Sequence, residues 1–250
     1  MAIIAVYSPK GGVGKTTIAV DLAWRCAVRG GTRTLIWDLD LQGGAGYLLG
    51  CEPTRQPRAA SLFQREGNAR RLVSSTPFAG LDQLQADPSL RHLPLQLARL
   101  GQRNRLSWLT RDLRRDYGRV VLDCPPVLNE VTEQIFAAAD VVIVPLPPSP
   151  LGARALDQLR AEFARRDRRH PPVLPLVSMF DSRRKAHREA RDGPMAGLPV
   201  IPAASPIEQM AFRRAPIGAF APHTEASRAL DRLWRGIESK LTDLAIPPVT

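Results

Sequence analysis

The chain has 250 residues, of which 44% are hydrophobic, and it carries a formal net charge of +11 at pH 7. This length is enough to bury a substantial core, and the composition is that of an ordinary globular protein rather than a fibrous or disordered one. No apolar run reaches the length of a membrane-spanning helix, and the first residues lack the positive start of a secretory signal. We therefore expect one globular domain over residues 1–250, located in the cytoplasm.

The charged residues point to a phosphate-bearing partner. Only four of the 35 Lys and Arg residues are lysines, and two of these, Lys10 and Lys15, lie in one short loop. An ammonium and a guanidinium are not interchangeable at a phosphate, so this placement indicates specific chemistry. The isoelectric point near 10.7 favours a polyanionic partner, nucleic acid before anionic membrane, with a generally Arg-rich soluble surface as the alternative. The three cysteines, Cys26, Cys51 and Cys124, lack metal-ligand spacing, and we expect reduced thiols.

Apolar runs and helical patterns alternate along the chain. Strands are predicted at 2–7, 34–39, 119–124, 140–146 and 173–179, and the weakly patterned stretch 50–100 is expected to form short helices and a further strand near 80–86. Helices are predicted at 15–29, 104–116, 129–139, 151–167 and 225–243. The strand runs are continuously apolar, which is typical of parallel strands buried on both faces. The sequence therefore predicts an α/β fold with a doubly wound, mostly parallel sheet flanked by helices.

A glycine-rich loop, SPKGGVGKTT, joins the first predicted strand to the first predicted helix. Its glycines allow backbone N–H groups to converge on an anion, and the helix dipole favours negative charge there. We expect Lys15 to reach the β- and γ-phosphates of a nucleotide and the Thr16 hydroxyl to ligate Mg²⁺. The usual phosphate-loop pattern has a glycine five residues before its last glycine, where this chain has Pro9.

Two further predicted strands end in acidic residues. TLIWDLDLQGG places Asp38 and Asp40 at the end of the second strand, and RVVLDCPP places Asp123 at the end of another. Ligands of parallel α/β sheets bind outside the carboxyl ends of the strands, so these acids should face the glycine-rich loop. A magnesium–nucleotide site is the prediction, with a purely structural capping role for the acids as the alternative.

Taken together, KGGVGKTT with Lys10, DLDLQGG and VVLDCPP resemble the ParA/MinD family, the deviant-Walker-A branch of the P-loop ATPases, over essentially the whole chain. The resemblance implies ATP and Mg²⁺ as cofactors and a slow, partner-stimulated ATPase. It assigns Lys10 to the phosphates of the partner's ATP in an ATP-dependent homodimer, and a contact to the subunit's own phosphates is the alternative. Asp40 matches the acid that positions or activates the attacking water, and Asp38 and Asp123 match the carboxylates around Mg²⁺. The other matched nucleotide-binding positions are Gly11, Gly12, Val13, Gly14, Lys15, Thr16, Thr17 and Pro202. Leu41 stands where the family usually has proline.

The resemblance is strongest to ParA-type proteins without an N-terminal helix-turn-helix domain. It implies an ATP dimer that binds DNA without sequence specificity and partitions or positions a plasmid, a chromosome region or a protein complex. Such a protein is cytoplasmic, associates with the nucleoid when ATP-bound, and works with a ParB-like or other activator; binding to a specific operator is not expected. Contacts to DNA phosphates should depend strongly on salt. The candidate DNA-binding residues are Arg183, Arg184, Lys185, Arg188, Arg213 and Arg214, with a solvated helix face as the alternative for each cluster.

Other functions have weaker support in the sequence. A MinD-like, membrane-associated ATPase in division-site or polar positioning would use the tail, where Leu230, Leu233 and Trp234 form part of an amphipathic stripe. A terminal stripe is more often core, and acids dilute its polar face, so membrane association is disfavoured. A nitrogenase-reductase-like or metal-delivery protein needs paired cysteines, which this chain lacks. No residue identifies the substrate of a dethiobiotin-synthetase-like ligase, and Asp40 disfavours a scaffold that binds ATP without hydrolysing it.

Overall fold

The strands of the protein form a central sheet. A computed structural model describes residues 1–53, 59–63, 68–100, 104–127, 129–165 and 170–244. Within them the strands are β1 Ala2–Val6, β2 Thr34–Asp38, β3 Ser74–Ser75, β4 Leu81–Leu84, β5 Arg119–Asp123, β6 Val141–Leu146, β7 Val173–Phe180 and β8 Val200–Pro202. Their order in the sheet is β3-β4-β2-β5-β1-β6-β7-β8, and only the β3–β4 pair is antiparallel. The predicted doubly wound, mostly parallel sheet is confirmed.

Helices cover both faces of this sheet. The described helices are α1 Lys15–Trp24, α2 Gly44–Leu48, α3 Leu93–Leu100, α4 Arg105–Leu113, α5 Glu130–Ala138, α6 Pro150–Ala164, α7 Lys185–Asp192, α8 Ser205–Arg213, α9 Ile217–Phe220 and α10 Glu225–Asp243. A π-helical turn, Arg25–Arg29, continues α1. None of the helices in the described residues is long and apolar enough to cross a membrane.

Alternate residues of the central strands enter two separate hydrophobic layers. In β1, Ile3 and Ala5 face the layer of α3 to α7, whereas Ile4 and Val6 face the layer of α1, α2 and α8 to α10. This two-residue alternation is the ordinary strand geometry, and both faces are apolar because both are covered. It explains why the strand runs in the sequence are continuously hydrophobic.

The predicted elements agree with the structure within two residues at each described end, except that α4 ends three residues before the predicted helix does. The prediction 225–243 coincides with α10, and 15–29 coincides with α1 and its π-helical extension. Positions 166 and 167 of the predicted helix 151–167 lie outside the described residues. The strand and helix predictions did not include the short strands β3 and β8 or the helices α2 and α7 to α9, whereas α3 is one of the short helices expected within residues 50–100. The elements left out are short or strongly polar, so too few residues are available to show a hydrophobic period.

Register places the acidic strand ends side by side. Asp123 at the end of β5 pairs with Asp38 at the end of β2 and with Val6 at the end of β1. The glycine-rich loop leaves the sheet directly after β1 and Tyr7. Three loops therefore meet at the carboxyl edge of the central strands, as expected for a parallel α/β sheet.

Candidate nucleotide site

The glycine-rich loop has the backbone shape of an anion cradle. Gly12 and Gly14 have positive φ values of 70° and 79°, a region that residues with a Cβ rarely adopt. Gly14 is the N-cap of α1, and its carbonyl accepts the first helical hydrogen bond from the Ile18 amide at 3.0 Å. Lys15, the first residue of α1, is buried. The loop therefore places backbone N–H groups, a helix N-terminus and a buried ammonium together.

A buried serine on β7 holds this loop in place. The Ser178 hydroxyl donates a hydrogen bond to the Val13 carbonyl at 2.8 Å, although the two residues are 165 positions apart. Met179, the next residue, has a positive φ of 58°. The sequence analysis did not single out Ser178, and its only signal was a position near the carboxyl end of a predicted strand. This hydrogen bond links the glycine-rich loop to β7, which lies two positions from β1 in the sheet.

The two strand-end acids have very different surroundings. Asp38 is buried and accepts hydrogen bonds from the backbone amides of Asp40 and Ala45, both at 3.0 Å. Asp123 is fully buried, and neither of its carboxylate oxygens accepts a hydrogen bond of ordinary geometry from any described residue. A buried ionised carboxylate without a partner is costly, so Asp123 requires either a proton or a cation.

The electrostatics of Asp123 show which groups share its site. Burial raises its pKa well above the ordinary value, and the negative charges of Asp38 and Asp40 raise it further. The Thr16 hydroxyl, which is close but completes no hydrogen bond of ordinary geometry, and the Lys15 ammonium act in the opposite direction. Burial also raises the pKa of Asp38, against the two amide hydrogen bonds it accepts. The fold thus brings five predicted site residues together.

This donor set suits Mg²⁺. The candidate ligand atoms are the Thr16 hydroxyl and the carboxylate oxygens of Asp38 and Asp123. The Asp123 carboxylate, which accepts no ordinary hydrogen bond, supplies the negative charge that a hard cation prefers. The described residues contain no group of three or more His, Cys, Asp or Glu side chains that would hold a metal alone. Such sparse ligation is ordinary for Mg²⁺, which keeps several waters and takes phosphate oxygens from a nucleotide.

The loop after β2 lies directly against the glycine-rich loop. A Cβ built on Gly44 would lie 3.1 Å from Cγ2 of Thr16, so only glycine allows this approach without displacement. Asp40 is half-buried, and its side chain accepts a hydrogen bond from the Gln42 amide at 3.1 Å. Leu41 is 47% exposed. Asp40 therefore lies at the rim of the site, while Asp38 lies inside it.

Lys10 and Pro202, two further predicted site residues, lie in the glycine-rich loop and at the end of a sheet-edge strand. Lys10 is exposed, and its side chain forms no ion pair with any described residue. Pro202 ends β8, the edge strand three positions from β1, and it is half-buried. The other matched loop residues, Gly11 and Thr17, are exposed and half-buried respectively.

A family model described as AAA domain matches residues 1–171. The chromosome-partitioning ATPase Soj of Thermus thermophilus is 32% identical over 250 residues, which cover 96% of each chain. The chain belongs to the ParA/MinD family. The chromosome partitioning protein ParA of Myxococcus xanthus is 34% identical over 189 residues, which span 72% of this chain and 66% of that relative.

Solved structures show the same fold as this ParA/MinD-family chain. Cyanothece McdA, solved as a complex with ATP, superposes with a TM-score of 0.80 at 19% identity, covering 100% of this chain and 98% of that one. Cobyrinic acid a,c-diamide synthase from Mycobacterium smegmatis, solved with an ATP analogue and magnesium, gives a TM-score of 0.81 at 24% identity, covering 100% and 99%. At these identities the likeness concerns the fold.

The predicted DNA-binding residues of this ParA/MinD-family protein fall into two segments. Arg183, Arg184, Lys185 and Arg188 lie at and just before the start of α7, and all four are exposed. Arg183 pairs with Asp181 at 2.9 Å, and Lys185 pairs loosely with Glu189 at 3.6 Å. Exposed pairs of this kind are weak and exchange readily for another anion. This segment is available to a polyanion.

The second segment contains two adjacent arginines with different environments. Arg213 is exposed; it lies 5.1 Å from the Phe220 ring and 3.5 Å from the Gln209 side chain. Arg214 is half-buried with a left-handed backbone, φ 50°. Its guanidinium donates to the Cys51 carbonyl at 2.9 Å and lies 3.1 Å from the Glu52 carboxylate. Arg214 therefore joins α8 to the segment after α2, a contact between distant segments that no local sequence pattern predicts.

Proposed function

We propose that this chain is a ParA-like ATPase, a single domain over residues 1–250. It forms an ATP-sandwich dimer, binds DNA without sequence specificity, and uses slow hydrolysis to partition or position a cargo. The observation that carries the proposal is the buried Asp123 carboxylate, which accepts no ordinary hydrogen bond, beside Asp38, Thr16 and Lys15 at the end of a glycine-rich loop. That arrangement supports the binding of a nucleotide together with a divalent cation.

ATP and Mg²⁺ are the cofactors in this proposal. Gly11 to Thr17 would hold the phosphates, and Thr16, Asp38 and Asp123 would hold the cation directly or through water. A bound Mg²⁺ neutralises charge on the β- and γ-phosphate oxygens. Asp40, at the rim, orients the attacking water. The ATP and the ATP analogue with magnesium in the two solved structures of the same fold support this choice.

The exposed position of Lys10 supports a dimer built around ATP. Its ammonium is free of described acidic partners and belongs to the glycine-rich loop, from which it can reach the phosphates of a second subunit. An added positive charge stabilises the charge that spreads over the γ-phosphoryl oxygens in the transition state. Hydrolysis then requires two subunits, and loss of the γ-phosphate releases them.

Mixing two inactive variants tests this arrangement. Lys10→Ala and Asp40→Ala should each turn over ATP about 100-fold more slowly than the wild type. In a mixed dimer, the Lys10→Ala subunit keeps its own Asp40 and receives Lys10 from its neighbour, so one site is complete. Measured turnover should therefore recover in the mixture. If Lys10 instead contacts the ATP of its own subunit, both sites of the mixed dimer are incomplete and the mixture stays inactive. A separate light-scattering measurement with ATP shows whether the Asp40→Ala variant accumulates as a dimer.

The exposed arginines before α7 support the DNA part of the proposal. We expect Arg183→Glu with Arg184→Glu to keep ATP turnover and lose ATP-dependent retention on random-sequence duplex DNA. The matched control is Arg114→Glu with Arg115→Glu, two exposed arginines directly after α4. Equal loss in both double variants would mean that only net charge matters. Retention should also fall steeply between 50 and 200 mM salt.

The packing of α10 disfavours the membrane alternative. Its apolar residues Leu230, Leu233 and Ile237 are buried in the core, so they are not available for insertion into a bilayer. Truncating the chain before α10 would expose this core and is no test of membrane binding. Flotation of the intact chain with anionic liposomes in ATP is the proper measurement, and we expect no co-flotation at physiological salt.

The names of the relatives support partition as the biological role. Both sequence relatives reported above are chromosome-partitioning proteins. We therefore place a chromosome region first among the cargoes, before a plasmid or a protein complex, and a ParB-like or other activator as the partner. The protein would be cytoplasmic and associated with the nucleoid when ATP-bound.

A further inference from the structure

A second cavity lies at the far end of α1 from the nucleotide site. Its volume is about 420 Å³, and it lies between the π-helical extension of α1, the segment after α9 and the first turns of α10. Ten residues separate Lys15 from Arg25, which is about 15 Å along the helix axis. This cavity is therefore separate from the phosphate loop, and no residue of the proposed nucleotide site lines it.

The charged lining of this cavity is strongly basic. It consists of five arginines and one aspartate: Arg25, Arg29, Arg228, Arg232, Arg235 and Asp231. Three of the arginines follow the helical spacing i, i+4 and i+7, so they lie on one face of α10. The other two come from the opposite wall, at the end of α1. The guanidinium groups therefore converge from two elements on one concave space.

Only some of these arginines have a carboxylate partner. Asp231 is already engaged by Arg25 at 3.0 Å and by Arg235 at 2.8 Å. Arg25 is also held by the buried Asp21 at 2.6 Å, outside the cavity lining. The remaining three, Arg29, Arg228 and Arg232, are exposed and form no ion pair with any described residue.

The positive charge of this lining exceeds the negative charge beside it. Like charges on one helix face repel one another, and the nearby carboxylates compensate only two of the five guanidinium groups. The planar fork of each arginine matches a phosphate oxygen pair. The lining also includes the exposed His223, whose ring can hydrogen-bond an oxyanion.

We propose that this cavity is a binding site for a compact polyanion with two or more phosphate groups. A volume of about 420 Å³ is that of a small-molecule site. Duplex DNA needs phosphate-binding groups along an extended ridge, because its charges follow the strand. A lipid surface needs an exposed apolar face beside the charges, whereas the apolar face of α10 is packed in the core. The concave shape therefore favours a small phosphorylated ligand.

Titration calorimetry with inorganic tripolyphosphate tests the proposal. The full chain carrying Lys15→Ala is used, so that the phosphate loop does not contribute binding. Arg228→Gln with Arg232→Gln in this background should weaken binding by about 100-fold, and Arg29→Gln, from the opposite wall, by about tenfold. The matched control is Arg154→Gln with Arg160→Gln, exposed arginines on α6 at the other face of the sheet, and it should leave binding within about twofold.

Each other outcome overturns the proposal. Absence of tripolyphosphate binding in the Lys15→Ala protein, or equal weakening by the pocket and control variants, would show that no site exists there. The same variants are also measured with a 20-base-pair duplex and with phosphatidylglycerol vesicles. If the pocket variants reduce binding to either of these and not to tripolyphosphate, the arginines belong to a DNA or membrane surface instead. Circular dichroism confirms that each variant is folded.

Discussion

The nucleotide edge of the sheet and the arginine-rich C-terminal third use charge in opposite ways. At the sheet edge, Asp38 and Asp123 are buried and come from strands that the fold holds rigidly in register. In the segment from α7 to α10, most arginines are exposed and lie on helices or in turns. The first region concentrates uncompensated negative charge in the interior, and the second spreads positive charge over the surface.

This difference shows that the neighbours of a charged residue decide its role. Asp123 accepts no hydrogen bond of ordinary geometry from the described residues, whereas Arg25 has several partners and Arg214 joins two segments of the fold. Arg228 and Arg232 have none. Charges with internal partners stabilise the fold, and charges without them are available to a ligand. Four substitutions examine this distinction, ordered by expected effect.

The largest effect should come from Arg25→Ala. Arg25 is 3% exposed and donates to Asp21, Asp231 and Ser227. Removing it leaves a fully buried Asp21 carboxylate without its cation, which costs about 3–5 kcal/mol of unfolding free energy. Urea denaturation measures this loss. Arg29→Ala, an exposed arginine on the same π-helical turn, should change stability by less than about 0.5 kcal/mol.

Lys15→Ala should abolish useful ATP binding while leaving the fold intact. The buried ammonium is the main cation expected at the phosphates, and its loss should weaken ATP affinity by about 100-fold or more. Fluorescent-nucleotide titration measures this change. Lys10→Ala is the matched control, because an exposed lysine that acts on the neighbouring subunit should leave the affinity of the monomer for ATP within about threefold. Equal loss in both variants would place Lys10 in its own subunit's site.

Asp123→Asn should stabilise the nucleotide-free, Mg²⁺-free protein. Because the folded-state pKa of Asp123 is raised above its ordinary value of 3.8, the folded protein holds more protons than the unfolded chain above that pH. Unfolding free energy therefore falls as pH rises from about 4 through the folded pKa. The amide should remove part of that fall and add about 1–2 kcal/mol at pH 7, while weakening Mg²⁺-dependent ATP binding. An exposed acid, Asp112→Asn, should leave the pH profile unchanged.

Arg213 and Arg214 give the smallest and most closely matched contrast. Arg214→Ala removes hydrogen bonds to the Cys51 and Tyr47 carbonyls and an ion pair to Glu52, and should cost about 1–2 kcal/mol of unfolding free energy. Arg213→Ala should cost less than about 0.5 kcal/mol. Thermal denaturation compares the two variants. If both prove neutral, Arg214 is not a structural link between α8 and the segment after α2.

Prediction from the sequence worked best where local pattern and tertiary role coincide. All six predicted strands and all five predicted helices are present in the structure, because each has an apolar run or a helical period. The phosphate loop could be identified from the sequence because its glycine spacing, the preceding strand and the following helix are all features of one short segment. Elements such as α7, whose sequence KAHREARD has almost no apolar residues, gave no periodic signal.

Contacts between segments that are distant in the sequence could not be predicted from local sequence patterns. Ser178 reaches Val13 from 165 residues away, and Arg214 reaches the segment after α2. That Asp123 accepts no hydrogen bond of ordinary geometry from the described residues is likewise a property of its folded surroundings. No single position in the sequence shows which hydrogen-bonding groups will surround it.

The sequence by itself determined the α/β class, the phosphate loop and the acidic strand ends, because glycine conformation, strand hydrophobicity and strand–loop–helix order are encoded locally. The tertiary structure decided which charges are compensated. Arginines cannot be told apart by residue type in the sequence, but their contacts in the structure differ. Arg25 is buried and bonds to Asp231, Arg214 bonds to the Cys51 carbonyl, and Arg228 and Arg232 line a basic cavity. The physical reason is that electrostatic free energy depends on distance and burial, and both are fixed only when distant segments pack together.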